Sequence, residues 1–238
     1  MREFKLSCCD PMDSGHKVYK RTKFTINPGL TILTGCNGAG KTTLIRTLKD
    51  KLREQNILFC HYDNLHDGGD VARQYALERG EMYSLAALVT SSEGECININ
   101  LFPFVRNIAR YADTLDKSVI LSRSERLAIA FNGEKEYIPN ELWVLLDASD
   151  SGLSINAVIE LKDILHRIEI KLAEKNITAY FIIAANEYEM CVGENCLDVQ
   201  SLTYKQYKSY NSYKRAILRS AKYKEDQITK SRKEKKDE

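Results

Sequence analysis

One stretch of eight residues limits the fold more than any other property of the chain. Gly35-Cys36-Asn37-Gly38-Ala39-Gly40-Lys41-Thr42 follows the short apolar run Leu30 to Thr34 and opens an amphipathic stretch from Lys41 to Leu52. A glycine-rich turn between a buried strand and a helix presents successive backbone N–H groups at the helix N-terminus, where donors and helix dipole together stabilise an anion. The spacing G-x-x-x-x-G-K-T adds Lys41, to reach the β- and γ-phosphates of a nucleotide, and the Thr42 hydroxyl, to bind Mg2+. Thr43 extends the run of donors. Such a loop belongs in an α/β architecture.

The rest of the chain repeats the alternation. Lys17 to Ile26 alternates polar and apolar residues as a half-buried strand does, and Asn27-Pro28-Gly29 makes a turn. Further strands are expected at Gln55 to Tyr62, Leu142 to Leu146 and Thr178 to Ala185, with an amphipathic helix at Asn156 to Glu174. Asn64 to Asp70 reads as loop, and Val71 to Val89 as helix in pieces. Ile97 to Leu115 is a helical pattern disturbed by Pro103. Val119 to Tyr137 is open between strand and helix, with Asn132-Gly133 as a hairpin signal. Strands alternating with helices predict a largely parallel sheet. Trp143 to Asp147 then places a carboxylate at the end of a buried strand, where Asp147 serves either as the Mg2+ partner of the loop or as a helix cap.

Composition narrows the class. The longest apolar run, Ala179 to Ala185, is seven residues, far short of a bilayer span, so no membrane insertion is expected. The N-terminal residues lack an apolar signal segment, which predicts a cytoplasmic chain. Seven cysteines at 8, 9, 36, 60, 96, 191 and 196 contain no CxxC pair, so reduced thiols are expected rather than a disulfide framework or a zinc site. The net charge of +2 is uneven: from Thr203 onward there are twelve Lys/Arg against five Asp/Glu, leaving 23 against 28 in the first 202 residues. A mildly acidic body carries a basic arm, which keeps a nucleic-acid partner in play.

Pro28 to Leu44 resembles the opening of ABC-type ATPases, the group shared by transporter cassettes and the SMC and RecF-like DNA-maintenance ATPases. Leu145 to Ser154 is similar to that group's strand-end Asp and the loop after it. The resemblance implies a P-loop NTPase fold with a small helical signature lobe, here roughly residues 65–135, inside an ATPase domain of residues 1–202. It implies ATP and Mg2+ as cofactors, and a homodimer sandwiching two ATP molecules. DNA maintenance or phage conflict are the roles it suggests.

Other family positions are matched less fully. A signature loop L-S-G-G-Q/E contacts the γ-phosphate of the opposite subunit; Ser91 to Glu95 keeps the Ser (Ser92), the second Gly (Gly94) and the acid (Glu95). Leu121-Ser122-Arg123-Ser124-Glu125 competes, with a better helix behind it and no glycine; either segment also reads as a plain helix cap. Asn64 or Asp63 stands at the Gln-loop position, near Mg2+ and the attacking water. Asn186 replaces the family's switch His, and Ala148 replaces the Glu that polarises water. The resemblance thus implies slow hydrolysis, with Asp150 or Glu187 as substitute carboxylates, or else a non-hydrolysing ATP-gated module that recruits an effector protein.

Lys41 and Asp147 are 106 positions apart. A coiled-coil arm of about 60 Å needs about 40 residues each way, which leaves no room for one; a compact head is expected. In the basic segment 203–238, Tyr204, Tyr207, Tyr210 and Tyr213 recur every third residue among lysines. On a helix they form a drifting stripe, either packed on the sheet or stacking nucleic-acid bases. Beyond Tyr223 a frayed helix or disorder is expected.

Overall fold

The computed structural model describes residues 1–6, 18–64, 77–78, 80, 93–132, 136–150 and 152–237. Two antiparallel strands, β1 (Arg2–Lys5) and β2 (Lys23–Ile26), form a small separate sheet. The main sheet holds β3 (Gly29–Thr34), β4 (Leu58–Asp63), β5 (Glu141–Asp147), β6 (Thr178–Ala184), β7 (Asn195–Asp198) and β8 (Thr203–Lys205). Its order is β4-β5-β6-β3-β7-β8, all parallel except the final β7–β8 pair. This is a mixed α/β fold with a mostly parallel central sheet, as the alternation predicts.

Helices cover both faces. α1 (Lys41–Glu54) follows β3; α2 (Glu93–Thr114) and α3 (Arg123–Asn132) lie between β4 and β5; α4 (Ile155–Glu174) joins β5 to β6. A short α5 (Tyr188–Cys191) precedes β7, and α6 (Tyr210–Asp237) closes the chain. The strands alternate their apolar side chains between two clusters. Leu142, Val144 and Leu146 of β5 and Ala179, Phe181 and Ile183 of β6 pack toward α2 and α4. Trp143, Leu145, Tyr180 and Ile182 pack toward α1 and the β1–β2 sheet. Burial on both faces explains why these strands read as unbroken apolar runs.

One expectation is corrected, an open one is decided and a helical one holds. The strand expected over Lys17 to Ile26 is confined to Lys23–Ile26, because Val18 and Tyr19 turn inward and Lys20 N–H pairs with Gln200 O instead. Within Val119 to Tyr137, which reads as strand or helix, Arg123–Asn132 is helix: Ser122 Oγ accepts from Glu125 N–H while the Glu125 carboxylate accepts from Ser122 N–H, a capping box that starts α3. Asn132 ends that helix, and the hairpin signal continues at Gly133, outside the described residues. α2 runs on through Pro103, with Leu101, Val105, Ile108 and Ala112 buried along it. Their burial offsets the hydrogen bond that proline removes.

The tyrosine series forms no helical stripe. Tyr204 lies on β8, Tyr207 in the connection after it, and Tyr210 and Tyr213 on α6. Tyr204 Oη accepts from Asn27 N–H at 3.1 Å, and Tyr207 and Thr34 share a hydroxyl hydrogen bond of 3.0 Å. Tyr213 donates to Asn186 O at 2.6 Å. Only Tyr210 of the four is strongly exposed, at 59%. The segment expected to fray beyond Tyr223 continues as helix to Asp237.

Candidate functional site

The site is built where β3, β5 and β6 end together. Their register aligns Leu33 with Ala184, and Asp147 with Ala184 from the other side. A cavity of about 340 Å3 opens there, lined by Val18, Cys36, Asn37, Gly38, Gly40, Lys41, Thr42, Thr43, Asp147, Ala148, Ala184 and Asn186.

Gly40 is the residue before α1 and takes φ of 97°; no side chain caps the helix. The first-turn N–H groups are therefore left for a ligand. A Cβ at Gly40 would lie 2.5 Å from Val18 Cγ1, so the position requires glycine twice over, by conformation and by space. Ala39 N–H closes the turn on Cys36 O at 3.0 Å, while the Ala39 side chain is buried in the core. Gly35, at the exit of β3, and Ala39 shape the loop without lining the cavity.

Lys41 Nζ folds back on its own loop, donating to Gly35 O at 2.8 Å and to Cys36 O at 3.5 Å. Burial pushes its pKa down, opposed by the fields of Asp150, Cys36 and Asp147. Thr42 Oγ1 donates to Asp147 Oδ1 at 3.2 Å. Burial pushes the Asp147 carboxyl up; the Thr42 hydrogen bond lowers it and neighbouring Asp63 raises it. Asp63 and Asp147 are paired residues at the ends of β4 and β5. An alcohol and a carboxylate in contact beside a phosphate loop are the hard oxygen donors Mg2+ takes, and a cation there would relieve the Asp147–Asp63 repulsion. The donor set fits the ion.

Ala148 follows with φ of 52°, a left-handed backbone at a residue without a polar side chain. Asp150 is fully buried, and its Oδ2 accepts from both Asn186 N–H and Glu187 N–H at 2.7 Å. Of the two substitute carboxylates, Asp150 therefore acts as the cap of the turn into α5. Glu187 is exposed and makes no side-chain cap. Asn186 lines the cavity, its N–H on Asp150 and its carbonyl on Tyr213. Asn64 follows Asp63 directly, its Oδ1 accepting from Tyr62 Oη at 3.4 Å; it is not among the residues lining this cavity.

The signature candidates divide. Ser91 and Ser92 lie outside the described residues; Gly94 and Glu95 fall in the first turn of α2. Ser122 and Glu125 form the capping box of α3 and line a second cavity of about 560 Å3 with Arg46, Lys49, Arg53, His61 and Asp63. Two contributors to the loop escape sequence reading. Ser220 Oγ accepts from Cys36 N–H at 3.1 Å and Lys224 Nζ donates to Asn37 O at 3.0 Å, both from α6. Nothing local in their sequence marks them.

No family model and no curated protein sequence matches the chain. Among solved structures, a dimeric post-hydrolysis state of an ATP-binding cassette bound to ADP and Pi aligns with 82% of this chain and 92% of its own at 12% identity, TM-score 0.38. The cbiO1 protein of Clostridium perfringens, part of the ABC transporter complex cbiONQ, aligns with 85% of this chain and 86% of its own at 17% identity, TM-score 0.39. Likeness at this level assigns neither ligand nor partner to the present chain. Among the described residues no helix is long and apolar enough to cross a membrane.

Proposed function

We propose that the chain is an ABC-type ATPase that binds Mg-ATP in the cavity between Lys41, Thr42 and Asp147. The observation that carries this reading is the meeting of Thr42, in the first turn of α1, with Asp147, at the end of β5, at 3.2 Å beside an uncapped glycine loop. The loop amides and Lys41 hold the β- and γ-phosphates; to do so Lys41 leaves the carbonyls of Gly35 and Cys36. Thr42 and Asp147 hold Mg2+, which supplies charge neutralisation to the phosphates. Nucleotide then controls a homodimer in which Ser92 and Gly94 of one copy face the phosphate loop of the other, in keeping with the family pattern. Titration with Mg-ATP tests the reading: wild type binds and shifts in size by light scattering, and Lys41→Ala does neither. Equal behaviour of the two proteins removes it.

Hydrolysis is slow in this reading. Ala148 offers no carboxylate, and Asp150 is committed to two backbone amides. The same observation supports a second reading, an ATP-gated module that does not hydrolyse and recruits an effector protein. Phosphate release separates the two: turnover above background that Asp147→Ala abolishes rejects the second.

A further inference from the structure

α6 touches the candidate site at three points of one helical face. Tyr213 donates to Asn186 O at 2.6 Å, Ser220 accepts the Cys36 N–H at 3.1 Å, and Lys224 donates to Asn37 O at 3.0 Å. Spacings of seven and four residues bring the three side chains to the same side of the helix. The turn carrying Ser220 and Lys224 is fixed from two more directions. Gln200 Nε2 donates to Ser220 O at 3.1 Å, and Lys20 Nζ stands 4.3 Å over the Tyr223 ring.

Two ammonium groups thus stand on one loop. Lys41 holds the carbonyls of Gly35 and Cys36, and Lys224 the next one, of Asn37. Gly38, with φ of 72°, leaves the space for it: a Cβ there would lie 2.5 Å from Lys224 Nζ. Among the described residues neither ammonium is ion-paired with a carboxylate. Asn37 and Gly38 line the cavity, and Lys224 stands behind them, held on the Asn37 carbonyl and not itself part of the lining. Mg2+ and one lysine leave a fully ionised triphosphate with residual negative charge, which a further ammonium reaching past Asn37 lowers.

We propose that Lys224 is a second phosphate-binding lysine, supplied within the same chain by the C-terminal helix, and that Ser220 is a positioning residue that sets the loop for it. The inference rests on the nucleotide-binding reading above. On binding, Lys224 keeps Asn37 O with one N–H and turns another toward the terminal phosphate. The basic C-terminal helix is then part of the nucleotide site.

Calorimetric titration of the full chain with Mg-ATP and with Mg-ADP tests the proposal, using wild type, Lys224→Met, Lys224→Arg, Ser220→Ala and Lys41→Ala. Lys224→Met is expected to weaken Mg-ATP by about 10-fold and Mg-ADP by less, to flatten the salt dependence of ATP binding, and to be largely rescued by arginine. Ser220→Ala weakens both nucleotides by one common, smaller factor. Wild-type affinity in Lys224→Met, or one equal loss for ATP and ADP with unchanged salt dependence, overturns the phosphate role. If Lys41→Ala abolishes binding while Lys224→Met does not alter it, this inference alone falls. If wild type binds no ATP, the underlying reading falls and takes this one with it.

Discussion

The side-chain oxygen of Ser220 accepts the amide N–H of Cys36 at 3.1 Å, joining positions 184 residues apart. A loop amide that in isolation would need water or ligand is thereby fixed before any nucleotide arrives. The contact changes how the basic C-terminal segment is to be probed. Cutting the chain at residue 214 removes Ser220 and Lys224 with the helix, so lost nucleic-acid binding in a truncated protein would be confounded with a disturbed phosphate loop.

A cleaner prediction uses charge instead of truncation. Lys214, Arg215 and Lys222 are exposed on α6 and make none of the loop contacts. Changing all three to glutamine should leave Mg-ATP affinity within about 2-fold, because none touches the site. If the helix carries nucleic acid, the same variant weakens double-stranded DNA binding and lowers its salt slope by about two to three. An unchanged slope takes DNA out of the account.

Asp147→Asn should separate stability from function. The Asp147 carboxyl is pushed up by burial and by Asp63, so its ionised form opposes folding of the ligand-free chain above that raised value. Neutralising it should raise apo stability at neutral pH, where the burial penalty outweighs the lost attraction to Lys41 and Arg46. The gain in melting temperature that Mg-ATP gives to wild type should vanish. A variant that is several kcal/mol less stable, or still stabilised by Mg-ATP, contradicts the assignment.

Ala148→Glu restores a carboxylate next to Asp147. If hydrolysis is limited by a poorly held water, phosphate release should rise by about 10-fold or more. The left-handed backbone at 148, φ 52°, is already tolerated by a residue with a Cβ, so glutamate adds little strain. Unchanged turnover places the limit elsewhere.

His61 makes stability depend on pH. Its imidazole is pushed down to about 4 from the ordinary 6.5, first by burial and then by Lys49, with Arg53 and Arg46 adding and Asp63 opposing. Between those values the unfolded chain binds a proton that the folded chain refuses, so stability rises with pH across the window and is lost as pH falls through it. The slope should reach at most about 1 kcal/mol per pH unit once solvent screening is allowed for. Urea unfolding at pH 7 and pH 5 should show the loss in wild type and a shallower one in His61→Gln.

The sheet centre and the phosphate loop are legible in the sequence because each follows from local rules. Leu142 to Leu146 of β5 and Ala179 to Ala184 of β6 are buried on both faces and so form apolar runs; the glycine loop is read from spacing. β7 and β8 escape notice, since Asn195–Asp198 and Thr203–Lys205 are too short for a period to show. The α3 segment carries its own signal in Ser122 and Glu125, three residues apart, which outweighs the strand-like Leu127 to Phe131. The even spacing of the tyrosines suggests one element, whereas a strand, a connection and a helix each anchor a ring hydroxyl at a different point of the fold. Ser220 and Lys224 matter through a partner far away in the chain, which no window of sequence contains.

Trp143 is the only tryptophan in the chain, fully buried on β5 and stacked 4.2 Å from Tyr180 with Phe4 edge-on at 5.4 Å. It sits four residues before Asp147 on the same strand, sealed from the cavity. The protein therefore carries a built-in fluorophore that watches the middle of the sheet. Its emission should be blue, shielded from iodide, and red-shifted on unfolding, so unfolding of the sheet can be followed without a label.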